Sequence, residues 1–534
     1  MRLRYRALCL LLLPSVLVLA TSLVKKSQGP YWLGNNSDPA YYYLVNALTL
    51  CDGQFPQYRD HPGIPLTALE ALLILPTHAA RGGDGLVQDV LKNPELYLSV
   101  TNVAVAFLWF VSLLIAGGMT LRRTGRLRTA LLLQLTPFFS LTSLHYLPRA
   151  GPEALLALFA FWLAAVALLV LESGETPRYG RYSVAFGIVI ALALATKLTA
   201  IPLLVVPVFL LPRKHKLIYA AIALAGFLII TLLLLNVYGR FADLMVHYLT
   251  RTGLYGSGGP GLIDLDAFVK NAKDLVVNDK VFAVVLTLSL AALLYARLVR
   301  TSVTVQDAAA VRKYHAGLLA VCLAELCQLV IVARHSPEDR YMIPAQQLLG
   351  LNIFLAYQLV RSTQPRYWPV LRALLCIGLC ASLAVQVERF RQMRKVIYWE
   401  KTAQLMLCEV AQGYQECQII YYFGSSSPLY ALGIGNRVAG SHFADQLQTL
   451  HPHAVFYWGR GRYSDFAEFF DYQKAAKGHK CVLFQGFTFG NDLTETSRPS
   501  DLDLEQIYPK GRAKPYEEVL YKVIPDGRTG ARES

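Results

Sequence analysis

The sequence predicts a polytopic α-helical membrane protein, with about eleven transmembrane helices, that ends in a small soluble α/β domain. Three observations lead to this fold class. The 534-residue chain is 54% hydrophobic and only 16% charged, and its mean hydropathy is +0.38. Its apolar residues come in runs of about 20, the length of a helix that spans a bilayer. From residue 388 onward these runs stop, and short β-rich segments alternate with helical ones.

The net charge of +15 is explained by membrane topology. Lys and Arg concentrate in the cytosolic loops of helical membrane proteins, whereas a soluble protein with this charge would suggest a nucleic-acid partner. The sequence has no RNP, zinc-finger or helix-turn-helix pattern. We therefore expect no nucleic-acid partner.

The first apolar run, residues 7–24, follows the basic segment MRLRYR. It reads as an uncleaved first helix or, alternatively, as a signal peptide. Residues 25–98 then form a long polar loop on the far side of the membrane. Within this loop, residues 64–76 are apolar but short, carry Glu70 and are interrupted by prolines. We expect them to lie at the membrane interface rather than to span it.

The next span, residues 99–120, tests that expectation because four arginines follow it within eight residues of sequence. These arginines lie in the cytosol only if residues 64–76 do not span. The remaining spans alternate with basic inner loops and leave the C-terminus outside. They are residues 129–147, 152–171, 183–212 as a tight hairpin with Lys197 near its outer tip, 217–237, 281–296, 316–333, 341–360 and 370–387.

The chain thus divides into a membrane domain, residues 1–387, and an extracytoplasmic domain, residues 388–534. The expected strands of the second domain are Gln418–Phe423, Ala454–Trp458, Cys481–Phe484 and Val519–Ile524, with a helix over residues 464–476. The turn GSSSP, residues 424–428, reads as an ordinary βα turn or as a backbone cradle for a phosphate.

Nine cysteines are scattered along the chain without a CxxC pair. Cys51, Cys408, Cys417 and Cys481 lie outside the apolar runs. A disulfide among these four is compatible with an oxidising compartment, but spacing alone does not pair them.

The topology brings several polar segments to the outer membrane face. They are the loop around Asp38, residues 149–153, Lys197, residues 240–280 and residues 334–341. Arg and Lys side chains bind phosphate, and a carboxylate can take a proton from an incoming hydroxyl or amine. Such a set suits a substrate that is a phosphate-bearing lipid.

Each of these residues also has a structural interpretation. Asp38 precedes Pro39 and a helical pattern, so it can be a helix N-cap. Asp60 and His61 precede Pro62 and can form a turn, Arg149 and Glu153 flank a helix start, and Lys197 and Arg340 can snorkel from span ends. Glu325 lies inside a span, where a charge calls for a partner or a function. No metal site is legible in the spacing of these residues.

Four local motifs occur in order along the chain. They are NNSDPAYYY with Asp38, DHPGIP at residues 60–65, RAGPEALLALF at residues 149–159 and DRYMIP at residues 339–344. Together they resemble the GT-C superfamily of membrane glycosyltransferases, specifically the group of the protein O-mannosyltransferases and the lipid A aminoarabinose transferase.

The resemblance implies a GT-C-like membrane domain and an inverting transfer of a sugar from a polyprenyl-phosphate carrier to a lipid, glycan or protein acceptor. It implies no certain cofactor, and a divalent metal stays open. The catalytic candidates that it implies are Asp38, Asp60, His61 and Glu153. The candidates for the donor phosphate are Arg149, Lys197, Arg334, Arg340 and Tyr341. The cell inner membrane is the expected location, with the N-terminus in the cytosol, and the endoplasmic reticulum stays open as the alternative.

Two other functions remain open at this point. A transporter or lipid flippase would carry polar residues through the membrane and at both faces, often in repeats, whereas here the candidate residues gather at one face. If the protein were a non-catalytic scaffold with an outer binding domain, its function would not change when the Asp38 charge is lost.

Overall fold

The structure is a computed structural model. It describes residues 2–34, 36–57, 62–83, 85–173, 178–253, 256–299, 305–335, 338–363, 368–488, 499, 502–511 and 517–524. Asp60 and His61, two of the catalytic candidates, lie outside the described residues.

The chain forms two compact units. The helical unit comprises Met1–Val24, Arg59–Leu66 and Asn102–Met393, and the α/β unit comprises Lys25–Tyr58, Thr67–Thr101 and Arg394–Ser534. Most of the first long loop therefore belongs to the same compact unit as the C-terminal residues. The predicted boundary at residue 388 instead groups this loop with the membrane helices.

The helices and strands follow in chain order. The α-helices are α1 (Arg2–Gln28), α2 (Ser37–Cys51), α3 (Ile64–Arg81), α4 (Leu86–Lys92), α5 (Pro94–Thr124), α6 (Leu127–Gln134), α7 (Leu141–Tyr146), α8 (Pro152–Leu171), α9 (Tyr179–Thr196), α10 (Val205–Leu210), α11 (Arg213–Thr231), α12 (Tyr238–Thr250), α13 (Leu265–Asn278), α14 (Lys280–Leu298), α15 (Val305–His335), α16 (Ile343–Gln346), α17 (Leu349–Thr363), α18 (Trp368–Gln412), α19 (Pro428–Val438), α20 (Ala444–Leu450) and α21 (Tyr472–Ala476). The strands are β1 (Cys417–Tyr421), β2 (Val455–Tyr457), β3 (Tyr463–Ser464), β4 (Phe469–Phe470), β5 (Cys481–Phe487), β6 (Leu504–Tyr508) and β7 (Glu518–Val523).

Seven helical stretches among the described residues are long and apolar enough to cross a membrane. They are Leu8–Gln28, Pro94–Thr124, Pro152–Leu171, Tyr179–Thr196, Arg213–Thr250, Lys280–Leu298 and Ala308–Arg334. Each coincides with a predicted span or with the first half of the predicted hairpin. The prediction of a multi-pass helical membrane protein with a small C-terminal sheet domain is confirmed. Helix α3, which contains the segment predicted to be interfacial, is not one of the seven.

The other predicted spans are shorter or interrupted. Residues 129–147 form α6, a 3-10 turn that contains Pro137, and α7. Residues 341–360 form the end of a 3-10 turn (Asp339–Met342), then α16 and α17. Residues 370–387 lie within α18, which continues to Gln412. Prolines explain two of these interruptions, because proline removes a helical hydrogen bond and clashes with the preceding turn.

The predicted hairpin at residues 183–212 breaks at Lys197. Helix α9 ends at Thr196, and the backbone of Lys197 is extended, with φ −161° and ψ 132°. A 3-10 segment (Leu198–Leu204) follows and packs back against α9. The backbone therefore departs from the helical path of α9 at Lys197, and the Lys197 side chain no longer follows the helix surface.

The core of the helical unit is α8. Eighteen of its residues are buried, including both ends of the helix. A helix that is apolar around its whole circumference belongs in the interior, and α8 packs against α9, α10 and α17. The Trp109 indole N–H donates to the carbonyl of Ala154, at 3.1 Å, and ties α5 to the first turns of α8.

The α/β unit contains a seven-stranded sheet of order β4-β3-β2-β1-β5-β7-β6. Strands β2, β1 and β5 are parallel, and the pairs on either flank are antiparallel. Four of the strands were predicted from sequence. The predicted helix over residues 464–476 is wrong over its first half, because the left-handed turn at Gly459, Arg460 and Gly461 reverses the chain and pairs Tyr463 with Tyr457. Only Tyr472–Ala476 is helical there.

A disulfide joins Cys417 in β1 to Cys481 in β5. The two residues are register partners in neighbouring parallel strands, with Cα atoms 4.5 Å apart. Of the four cysteines that the sequence left open for pairing, Cys51 and Cys408 are free.

Replacing both Cys417 and Cys481 by Ala is expected to lower the stability of the α/β unit by about 2–4 kcal/mol. The cross-link restricts the unfolded chain over a sequence separation of 64 residues. The urea dependence of trypsin cleavage, measured on the whole protein in lipid nanodiscs, reports this loss. Cys376→Ala, which removes an exposed free thiol, is the control. A double variant as resistant as the oxidised parent protein would contradict the expectation.

Candidate functional site

A cluster of charged and aromatic side chains surrounds the start of α8 in the helical unit. Gly151 is extended, Pro152 occupies the first turn, and Glu153 follows it as the only acidic residue of that turn. Proline is preorganised for a helix start, and a carboxylate there is stabilised by the helix dipole. The chain locally favours this geometry, which fixes Glu153 at the helix end with 2% of its surface exposed.

Lys197 and Glu153 form a buried ion pair. The Lys197 ammonium lies 2.7 Å from Glu153 Oε1, and the side chains are 7% and 2% exposed. The extended backbone at Lys197 directs this contact, since a continued α9 would carry the side chain elsewhere. Two charges with so little water need additional polar neighbours to be stable.

Tyr341 and Arg340 supply neighbours to this pair. The Lys197 ammonium lies 4.4 Å from the centroid of the Tyr341 ring, and the Arg340 guanidinium carbon lies 5.2 Å from it. Arg340 also forms a salt bridge with Glu338. Glu338, Arg340 and Tyr341 all lie at or next to the 3-10 turn Asp339–Met342. Both cations are thus within the distance at which the π face of an aromatic ring attracts a positive charge.

Gln328 fixes the backbone of this turn. Its side-chain amide donates a hydrogen bond of 2.7 Å to the carbonyl of Tyr341, and Gln328 itself is completely buried on α15. The position of Tyr341 is therefore set from a second helix.

Arg149 joins the cluster through Tyr146. The guanidinium carbon of Arg149 lies 4.8 Å from the centroid of the Tyr146 ring. Tyr146 is within electrostatic reach of Arg149, Arg340, Glu153 and Glu338. Three cations (Arg149, Lys197 and Arg340) thus gather with two carboxylates, which leaves one net positive charge. An anion such as a phosphate suits this balance.

Arg334, the fifth phosphate candidate, has a different environment. Its guanidinium donates to the carbonyl of Leu249 at 2.9 Å and to the carbonyl of Leu262. These bonds hold the end of α12 and the segment before α13 to α15. The structure thus gives Arg334 contacts that stabilise a loop, and these contacts involve no member of the cluster.

Glu325, the intramembrane carboxylate, is held by polar partners. Its Oε2 atom accepts a hydrogen bond of 2.6 Å from the Asn352 side chain, which in turn accepts one from Ser289. These contacts link α15, α17 and α14. The predicted need for a partner is met by Asn352, and a helix-packing role accounts for this glutamate.

Asp38 belongs to the α/β unit. Its backbone is non-helical, with φ −95° and ψ 119°, and it precedes the regular part of α2. It is exposed, whereas Ser37 and Pro39 on either side are buried. This is the backbone conformation of a helix-capping residue, so the capping interpretation and the catalytic one both remain compatible with the structure.

Tyr430 on α19 lies close to Asp38. Burial raises the pKa of the Tyr430 phenol, and the negative charge of Asp38 raises it further. Sequence reasoning missed Tyr430, Tyr146 and Gln328. Nothing in their local sequence marks them, because each becomes relevant only through a long-range contact.

Across the residues that the structure describes, no group of three or more His, Cys, Asp or Glu side chains is arranged to hold a metal ion.

No family model matches the chain, and no curated protein sequence matches it. Among solved structures, the chain is similar to ArnT from Cupriavidus metallidurans bound to undecaprenyl phosphate, with 14% identity, a TM-score of 0.46 and coverage of 96% of this chain and 98% of that one. It is also similar to the archaeal oligosaccharyltransferase AglB from Archaeoglobus fulgidus in complex with an inhibitory peptide and a dolichol-phosphate. There the identity is 13%, the TM-score 0.42 and the coverage 83% of this chain and 69% of that one.

Proposed function

We propose that this protein is an integral-membrane glycosyltransferase that moves a sugar from a polyprenyl-phosphate carrier to an acceptor outside the cytosol. The observation that carries the proposal is the cluster around Glu153 and Lys197. It is net cationic and set among apolar helices. Four of its members, Arg149, Glu153, Arg340 and Tyr341, come from two of the four motifs that resemble the GT-C group.

The chemistry assigned to the cluster is electrostatic. Arg149, Lys197 and Arg340 bind the phosphate of the donor and stabilise the charge that develops on it as the sugar leaves. Glu153 and Tyr341 keep Lys197 in place, because an ammonium group on a flexible stem is otherwise poorly oriented. The polyprenyl tail of the donor stays in the bilayer.

The reaction is a single displacement with inversion. The acceptor oxygen or nitrogen forms a bond to the anomeric carbon while the bond from that carbon to the phosphate oxygen breaks. The electron pair stays with the phosphate, and Asp38 takes the proton of the acceptor. The proposal also keeps Asp60 and His61 as residues that shape the pocket, and it names no certain cofactor.

The proposed orientation puts the N-terminus in the cytosol and residues 388–534 outside it, with the cell inner membrane as the location. Residues 1–387 are then the catalytic membrane domain, and the loop of residues 25–98 carries Asp38. The basic clusters after the predicted spans support this orientation. The Cys417–Cys481 disulfide supports it independently, because such bonds persist in oxidising compartments.

Donor turnover tests the function. The purified protein in lipid nanodiscs is given a panel of radiolabelled polyprenyl-phosphate sugars, with and without membrane extract as a source of acceptor. Release of the sugar from one donor, dependent on the extract, is the expected result. If no donor is either bound or turned over, the proposal fails, and a transporter or a scaffold becomes the better explanation.

A further inference from the structure

The parallel strands β2, β1 and β5 of the α/β unit have their carboxyl ends at the same edge of the sheet. The chain leaves β1 through α19 and α20 to reach β2 on one side, whereas β5, on the other side of β1, continues toward β7 and β6. The connections that leave the carboxyl ends of β1 and β5 thus run in opposite directions along the sheet. In open α/β sheets, ligands bind outside the carboxyl ends of the strands at this point.

In the GSSSP turn at this place, the backbone N–H groups of all three serines already have hydrogen-bond acceptors within the protein. The N–H groups of Ser425, Ser426 and Ser427 donate to Tyr422 O, Glu518 Oε1 and Ser425 O, respectively. The alternative of a phosphate cradle, which the sequence left open, therefore does not fit.

The same turn instead holds the segment that leads to Asp38. The Gly34 N–H donates to Ser426 Oγ at 3.0 Å. A Cβ atom added to Gly34 would lie 2.0 Å from the carbonyl oxygen of Gly424, so only glycine allows this approach of the two backbones. Asp38 follows four residues after Gly34.

A second close approach between the Asp38 region and the C-terminal residues occurs at α19, the helix after the GSSSP turn. A Cβ atom on Gly435 of α19 would lie 2.8 Å from the carbonyl of Tyr41 in α2. Helix α2, which begins beside Asp38, therefore packs directly on the helix that follows the GSSSP turn.

Glu518 in β7 holds the backbone of Ser426 through a hydrogen bond. Its Oε1 atom accepts from the Ser426 N–H at 2.6 Å and from the Gln485 side chain at 2.8 Å. The Ser426 carbonyl accepts from Gln485 at 3.1 Å and from the Cys408 thiol at 3.0 Å. Glu518 is 6% exposed, and burial raises the pKa of its carboxyl group to about 7. Both backbone groups of Ser426 are thereby bound, and its hydroxyl is left oriented toward Gly34.

The Asp38 segment is braced at its other end by Glu95. This carboxylate accepts from the N–H groups of Tyr31 and Trp32, at 2.9 and 3.0 Å. The side chain of Asn36 donates to two carbonyls of the same segment. The segment is fixed at several points, and Asp38 at its end is exposed.

We propose that the C-terminal α/β domain acts as a positioning platform for Asp38, with Ser426, supported by Glu518, as the positioning residue. The turn after β1, where an open α/β sheet usually binds a ligand, is here in contact with this chain's own Asp38 segment through Gly34 and Ser426. The inference rests on the proposed function, since it names what orients the acceptor-side carboxylate of that reaction.

The test compares neighbouring serines in the whole protein in nanodiscs. Ser426→Ala removes the acceptor of the Gly34 N–H, Ser426→Thr restores a hydroxyl there, and Gly34→Ala forces the backbones apart. Ser427→Ala is the matched control, because its hydroxyl caps α19 through Leu429 N and does not contact Gly34. Hydrogen exchange at the Gly34 amide and the kcat and donor KM of sugar transfer are measured for each, with the unfolding midpoint.

Ser426→Ala and Gly34→Ala are expected to lower kcat about 10- to 100-fold with donor KM unchanged, as for a misplaced catalytic group. Gly34 exchange becomes faster in Ser426→Ala, and Ser426→Thr recovers both properties. Ser427→Ala lowers the unfolding midpoint without either effect.

Two results overturn the inference. If hydrogen exchange at the Gly34 amide is unchanged in Ser426→Ala, the Gly34–Ser426 contact does not protect this amide and the platform is contradicted. If the exchange changes but kcat does not, the contact exists but does not position Asp38. If the parent protein turns over no donor, the proposed function fails and the positioning role fails with it. The exchange data, which need no turnover, then still decide whether the platform exists.

Discussion

Asp38→Asn is expected to lower kcat for sugar transfer by about 10²- to 10⁴-fold, the usual contribution of a general base. The amide keeps the size and shape of the side chain but does not take a proton at neutral pH. Since the donor phosphate is assigned to Arg149, Lys197 and Arg340, the donor KM should stay nearly constant. Initial rates over a range of donor concentrations, at saturating acceptor, measure both quantities.

This substitution also separates the two roles that the structure leaves to Asp38. Asn and Asp are about equally good helix N-caps, so a residue that only caps α2 would tolerate the exchange. Asp52→Asn is the matched control, because Asp52 is an exposed carboxylate at the other end of α2. Asp38→Asn with the kcat of the parent protein would assign Asp38 to capping and would move the search for a base to Glu153.

The periodic part of the fold could be predicted from sequence. Long apolar runs fix spans such as α8, and alternation with turn residues fixes β1, β2, β5 and β7, because these patterns are local. The rule that basic loops stay in the cytosol also predicted that residues 183–212 form a hairpin with its tip near Lys197, and α9 does end directly before this residue. Charge patterning thus located one member of the ion pair before its partner was known to be near.

Contacts between distant segments could not be predicted in the same way. The Lys197–Glu153 pair joins residues 44 positions apart, and the Gly34–Ser426 contact joins residues 392 positions apart. Such pairings depend on how helices and strands pack. For the same reason, the first loop was predicted as a loop of the membrane domain, although most of it belongs to the compact unit of the C-terminal residues.

The error at residues 464–476 has a different cause. Its polar and aromatic pattern suits a helix, but Arg460 has a positive φ of 53° between two glycines that also have positive φ. This turn reverses the chain at once and pairs β3 with β2, and a second reversal at residues 465–468 pairs β4 with β3. Tertiary pairing overrides a weak local preference there.

The second large effect is expected at Lys197. Lys197→Met removes the partner of a buried carboxylate, and breaking such a pair costs about 3–5 kcal/mol of stability. It also removes a cation assigned to the donor phosphate, and hydrogen bonds to charged groups are worth about 10- to 100-fold in affinity. The unfolding midpoint and the Kd for a non-hydrolysable polyprenyl phosphate, both in nanodiscs, are the measurements.

A double variant distinguishes structure from binding at this site. Lys197→Met with Glu153→Leu replaces the ion pair by apolar side chains of similar volume, an exchange that is often neutral or stabilising for a buried pair. We expect it to recover much of the stability that Lys197→Met loses and none of the donor affinity. Recovery of both would show that Lys197 serves only to neutralise Glu153. Because Glu153 begins the central helix α8, that outcome would assign the pair to folding and leave Arg149 and Arg340 to bind the phosphate.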